Sequence, residues 1–182
     1  MTGRLIGVVG PSGAGKDTVI TALAAREPSF QVVRRVTTRA PELGGEDCEC
    51  ISVTEFLGRE ATGQFCLSWR AHELYYGIPA DVVRQVANGA QMLANVSRSV
   101  LREAASIFPD FVALNITVSP EILKQRLLVR GRESAAEVER RLSRSVGEWQ
   151  SGVEVVTVSN DNAIETTVAD ALARLQSERA LQ

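Results

Sequence analysis

The stretch LIGVVGPSGAGKD, Leu5 to Asp17, decides how the rest of the chain is read. Leu5 to Val9 is a short, continuous apolar run of the kind that fills a buried strand. Gly10-Pro11-Ser12-Gly13-Ala14-Gly15-Lys16 follows, and then a helical pattern (Val19, Ile20, Leu23, Ala24). Strand, glycine loop and helix is the context that the G-x-x-x-x-G-K pattern requires. Three glycines let the backbone approach a phosphate, whose charge meets the amides at a helix N-terminus. Lys16 reaches the outer phosphates. Gly10 to Thr18 are therefore the expected nucleotide-phosphate site.

The pattern departs at Asp17, where Ser or Thr is usual. A hydroxyl there ordinarily serves Mg²⁺ beside a separate acid. A carboxylate is a harder oxygen ligand and suits the same ion. The later strand ending Asn95-Val96-Ser97 supplies no acid. The metal-facing negative charge is therefore expected at Asp17. Thr18, about one helical step away, is the weaker alternative.

Outward from this loop, Gln31 to Val36 reads as a second strand. Thr37 to Gly77 is polar and glycine-punctuated, and reads as an insert of small strands with a helix near Thr54–Glu60. Pro79 to Ala87 reads as a helix with Pro79 in its first turn. Gln91–Val96 and Phe111–Val118 are buried strands, with a helix over Ser99–Ser106 between them. Ser119-Pro120-Glu121 opens a helix to about Val129, and Arg130-Gly131-Arg132 breaks it. Ser134 to Glu137 is a capping box opening a further helix to about Trp149. Val153–Val158 is the last strand and Ala163–Arg179 the closing helix. Buried strands alternating with helices predict a parallel sheet covered on both faces. A ligand would then sit at the sheet's carboxyl edge.

Composition narrows the classes. At 182 residues, 45% apolar and 23% charged, the chain is sized for one globular domain. A net charge of −2 gives no global field for nucleic acid or anionic membrane. There is no signal-peptide pattern and no apolar run long enough to span a bilayer, so the expected compartment is the cytoplasm. Of the basic residues only Lys16 and Lys124 are lysines, and the rest are arginines, the better fork for phosphate. Cys48, Cys50, Cys66 and His72 match no common zinc spacing and read as ordinary thiols and a structural histidine.

Three weaker signals remain. Arg34-Arg35-Val36-Thr37-Thr38-Arg39 follows a strand, and Arg39 with two hydroxyls suits an anionic group. In Leu74-Tyr75-Tyr76-Gly77 a tyrosine hydroxyl can donate to a phosphate. Arg126, Arg130, Arg132, Arg140, Arg141 and Arg144 cluster around Gly131, as in a hairpin that swings arginines over phosphates.

GPSGAGK, then TTR with a glycine-acid stretch, YYG, RGR–helix–RR and Asn160-Asp161, in this order and spacing, resemble the guanylate kinase family along nearly the whole chain. The resemblance implies an α/β fold, a P-loop NTPase with three α/β/α layers around a parallel sheet. It implies one kinase domain over 1–182, with an acceptor-binding insert at about 37–80 and a helical lid at about 130–145. It implies ATP as co-substrate. Arg39 and Tyr76 would hold the acceptor's phosphate, Arg130, Arg132 and Arg141 the transferring phosphoryl group, and Asn160 and Asp161 would lie by the adenine.

The departures bear on the acceptor. Glu42 replaces the family's second arginine, Leu67 or Ser68 falls where an acid would read the guanine edge, and Ile78 follows YYG. A site built to hydrogen-bond a base loses discrimination when those partners become apolar. These losses resemble a branch of the family that acts on a ribose bisphosphate to form 5-phosphoribosyl 1-diphosphate. The partners implied are a small sugar bisphosphate and ATP. Arg70 and Arg98 are candidate cations for the second phosphate. Two rival readings stand beside this one: a nucleoside monophosphate kinase proper, and a non-catalytic interaction module of the same fold.

Overall fold

The computed structural model describes residues 3–40, 47–130 and 152–180. Five strands form a wholly parallel sheet: β1 (Arg4–Val9), β2 (Phe30–Val32), β7 (Gln91–Asn95), β8 (Phe111–Thr117) and β9 (Val155–Ser159), in the order β2-β7-β1-β8-β9. Central β1 is buried along its whole length and β8 over all but its last residue, because both faces are covered. On one face Ile6, Val8, Leu114 and Ile116 pack with α1 (Lys16–Arg26) and the closing helix α6 (Ile164–Arg179). On the other, Leu5, Met92, Ala94 and Phe111 pack with α3 (Asp81–Ala87) and α4 (Leu101–Ile107). This is the three-layer α/β/α arrangement read from the sequence.

A second, four-stranded sheet is inserted between β2 and α3. It comprises β3 (Val36–Thr37), β4 (Glu49–Cys50), β5 (Phe65–Ala71) and β6 (Leu74–Pro79), ordered β4-β3-β6-β5. Helix α2 (Val53–Ala61) lies against its outer face through Phe56, which stacks on Phe65 at 4.6 Å and meets Tyr75 at 5.5 Å. The inner face carries Leu67, Trp69 and Ile78 into the same core as α3 and α4. Helix α5 (Pro120–Arg130) follows β8 and covers the glycine loop through Leu123 and Leu127.

Beyond shifts of one or two residues at element ends, two readings differ in kind from the structure. Gln31–Val36 is not one strand: β2 pairs with β7 in the main sheet, whereas β3 pairs with β6 in the insert, so the chain changes sheets at Val33–Arg35. Pro79 does not open a helix. It is the last residue of β6, opposite Phe65, and the helix begins two residues later at Asp81. Proline's missing N–H is as tolerable at a strand end as at a helix start.

Candidate active site

The glycine loop leaves the carboxyl end of β1 under Ile116. A Cβ on Gly10 would stand 2.4 Å from the Ile116 carbonyl oxygen, so only glycine passes there. Gly15, at φ +86°, caps α1, and a Cβ on it would meet the Asn160 amide at 2.6 Å. The loop's carbonyls are taken up from within. Lys16 Nζ donates to the Gly10 and Pro11 oxygens at 2.9 and 3.1 Å. The Ala14 oxygen accepts from Asn160 Nδ2 at 2.7 Å and from Arg126 Nη1 at 3.4 Å. With these three carbonyls occupied, the loop presents the first N–H groups of α1, and a helix start leaves those without intrahelical acceptors. Such a cradle takes an anion.

Asp17 stands half-buried in the first turn of α1. Its Oδ1 accepts from Asn95 Nδ2 at 2.7 Å, and Oδ2 makes no hydrogen bond among the described residues. Thr18 is exposed beside it. A carboxylate oriented by an amide, next to a phosphate cradle, is a hard-oxygen donor set that fits Mg²⁺.

Asn160 and Asp161 serve as ties at the end of β9. The buried Asn160 holds Ala14 with its amide, accepts from Thr167 Oγ1 at 3.1 Å, and receives Arg126 Nη2 on its backbone oxygen at 2.9 Å. Asp161 Oδ1 accepts the Ser119 N–H at 2.8 Å, just ahead of α5. Asn160 thus adjoins the loop and Asp161 the start of α5, with their polar atoms engaged in positioning each. Sequence reading missed this role, and missed Arg126 and Thr167 as its partners. A lone asparagine after a strand carries no sign of a partner 146 residues away.

The acceptor candidates fall on different faces of the insert sheet. Tyr76, opposite Thr37 and Trp69, lies on the inner face, its ring parallel to Trp69 (5.5 Å, 11°). Arg35 stacks on the same ring at 4.9 Å and donates from Nη1 to the Asn95 carbonyl at 3.1 Å. Arg39 follows Thr37, whose Oγ1 accepts its backbone N–H at 3.2 Å. Arg70 is not brought to Tyr76. It pairs with exposed Glu73 and lies over Tyr75 on the α2 face, because neighbouring strand residues alternate faces. Arg98 is half-buried at the sheet's carboxyl edge, where Nη2 meets Asn115 Oδ1 at 3.3 Å. Asn115 is in register with Val9, so Arg98 stands near the foot of the glycine loop. The positions read as lost base contacts are apolar or engaged: Leu67 and Ile78 are a fully buried cross-strand pair, and Ser68 donates to Glu60 on the outer face.

The side chain of Arg130, and Arg132, Arg141, Glu42 and the helix and lid expected beyond Arg130, lie outside the described residues. The cysteines and histidine do not converge. Cys48 and Cys50 sit 3.6 Å apart at the β4 edge, Cys66 is on β5 at the opposite edge, and His72 is exposed at a hairpin tip. Burial pushes the Cys66 thiol up to about 11. No helix among the described residues is long and apolar enough to cross a membrane.

A parallel sheet with the order found here, a lysine-bearing glycine loop at its first strand and a second sheet inserted after its second strand define a P-loop kinase. The chain belongs to the guanylate kinase family, whose model matches residues 2–178, and within it groups with the proteins named ribose 1,5-bisphosphate phosphokinase PhnN. It is 45% identical to the protein of that name from Ruegeria sp. (strain TM1040), over 98% of this chain and 94% of the relative. It is 43% identical to the one from Pseudomonas paraeruginosa, over 99% of both. Among solved structures, a guanylate kinase from Anaplasma phagocytophilum superposes with a TM-score of 0.71 at 20% identity, covering 97% of this chain and 86% of that one.

Proposed function

We propose that the protein transfers the γ-phosphoryl group of ATP to the 1-phosphate of ribose 1,5-bisphosphate, giving ADP and 5-phosphoribosyl 1-diphosphate. An oxygen of the 1-phosphate forms the new bond to the γ-phosphorus as the bond to the β–γ bridging oxygen breaks, and ADP departs with that electron pair. A phosphate oxygen is already a competent nucleophile. The protein's task is therefore alignment and charge neutralisation rather than proton removal.

The observation that carries the reading is the pairing of an intact phosphate cradle with an insert sheet in which the positions read as base contacts are the buried Leu67, or the engaged Ser68, and the buried Ile78, while its inner face carries a guanidinium over Tyr76. Relatives along the whole chain carry the corresponding name. In this reading the amides of Gly13 to Asp17 and Lys16 bind the ATP phosphates. Tyr76 and Arg39 grip the reacting phosphate of the sugar. Arg130, Arg132 and Arg141 supply cations to the transferring group. Asp17, held by Asn95, is the Mg²⁺ ligand, with Thr18 next to it. The ion, when bound, neutralises charge on the β- and γ-oxygens.

The test is an ADP-release assay offering ribose 1,5-bisphosphate and GMP side by side. Turnover of the sugar bisphosphate far above GMP, abolished by Lys16→Ala, is expected. Faster turnover of GMP would replace this acceptor with a nucleotide. Failure of both wild type and Lys16→Ala to bind ATP would leave only an interaction module.

A further inference from the structure

We propose that Arg35 is the specificity-determining cation for the sugar's second phosphate, the one that receives nothing in the reaction. The inference rests on the sugar-bisphosphate reading above and adds the residue that makes two phosphates better than one. Adjacent arginines behave differently here. Arg34 faces outward to Asp47 at 3.0 Å, with both side chains largely in solvent. Arg35 turns inward, half-buried, over the Tyr76 ring. The strand order β3-β6-β5 lays Arg35, Tyr76 and Trp69 in a row across the inner face of the insert.

Two consequences follow. Tyr76 has Arg35 on one side and Trp69 on the other, so a planar base finds no open ring face there, whereas an anion finds a guanidinium. The cation is also pre-set: stacking and the bond to the Asn95 carbonyl fix its plane before any ligand arrives. A guanidinium held in this way loses little further freedom in taking a phosphate by its fork. Position assigns which phosphate it takes. Arg35 meets the backbone oxygen of Asn95, which lies in the plane of the sheet, while the Asn95 side chain stands off that plane to hold Asp17. The ground beside Asp17 and Lys16 belongs to the phosphate in line with ATP. Arg35, reached along the sheet plane, is assigned to the other.

The experiment compares wild type, Arg35→Gln and Arg35→Lys on ribose 1,5-bisphosphate and on ribose 1-phosphate, which keeps the reacting phosphate and lacks the other. Gln can keep a bond to the Asn95 carbonyl and removes the charge. Wild type should prefer the bisphosphate. Arg35→Gln should lose roughly tenfold or more in kcat/KM on the bisphosphate, the size of a charge-assisted hydrogen bond, and stay within about threefold of wild type on ribose 1-phosphate. Arg35→Lys should fall between. ATP binding and thermal unfolding of each variant are measured alongside. Equal losses on both sugars, or none on either, overturn the assignment and leave Arg35 a packing residue. Wild type inactive on both sugars overturns the proposed function, and this inference with it.

Discussion

Asn95 donates its side-chain amide to the carboxylate of Asp17 across 2.7 Å, joining the end of β7 to the first turn of α1. In the proposed reaction this neutral residue on the strand and acid on the loop helix would offer a nucleotide's metal one negative charge. Asp17→Ser should therefore raise the Mg²⁺ needed for half-maximal activity about tenfold or more, and Asn95→Ala should raise it by less. Mn²⁺ binding in the presence of ATP, followed by paramagnetic resonance, reads the same change without turnover. Unchanged titrations in both variants would take Asp17 out of the metal site.

Asn160 is a buried clip between the glycine loop and β9. Asn160→Ala removes one hydrogen bond each from the Ala14 carbonyl, which keeps Arg126, and the Thr167 hydroxyl, which keeps Ser159, at about 0.5–1.5 kcal/mol apiece. The melting temperature should fall by several degrees. The KM for ATP should rise more than that for the acceptor, because the clip shapes the loop and not the insert. Differential scanning fluorimetry and two-substrate kinetics check both. An equal rise in the two constants would deny Asn160 this local role.

The hairpin between β5 and β6 turns on His72 and Glu73, with φ of 52° and 63°. Two positive φ values in a two-residue loop are the demand of a type I′ turn, which Asn-Gly meets best. Replacing the pair with His72→Asn and Glu73→Gly should stabilise the fold by about 1 kcal/mol and leave turnover unchanged. A lower midpoint in urea would show that the exposed Arg70–Glu73 pair outweighs the relieved strain.

Arg4 is buried at the opposite end of the sheet between Asp110, at 2.9 Å, and Glu178. Burial raises the Glu178 carboxyl above its ordinary value, against the opposing pull of Arg4 and with help from Glu154. A raised acid binds its proton more tightly folded than unfolded. Its contribution to stability is complete below the unfolded value and is lost as pH rises through the folded one. Wild type should therefore gain on Glu178→Gln as pH falls through the acidic range, measured by urea unfolding at several pH values. A difference that does not vary with pH would mean Glu178 titrates normally.

Much of this was legible along the chain because its causes are local. The glycine loop combines an apolar run, three glycines and a lysine within a dozen residues. The alternation of buried strands and helices follows from residues whose burial is written in their own side chains. Positions 37–77 looked different because their described residues, with Val36 and Ile78, build a second sheet and the helix on it, with Leu67, Trp69 and Ile78 turned inward. What remained hidden depended on which residues meet across sheets. The arginine pair at 34–35 shows no preference in sequence. Only the crossing from β2 to β3 sends one to solvent and the other onto Tyr76. Arg70 was a candidate in sequence, and strand alternation puts it over Tyr75 on the α2 face, away from Tyr76.

The amino-acid order alone determined a phosphate-gripping α/β fold, since hydrophobic periodicity and glycine geometry act over a few residues. Tertiary structure decided the partners: Asn95 for Asp17, Asn160 for Ala14, Arg35 for Tyr76. The physical reason is distance along the chain. Hydrogen bonds and ring contacts reach only a few ångströms, so residues 41 to 146 positions apart come within that reach only after the sheets have closed.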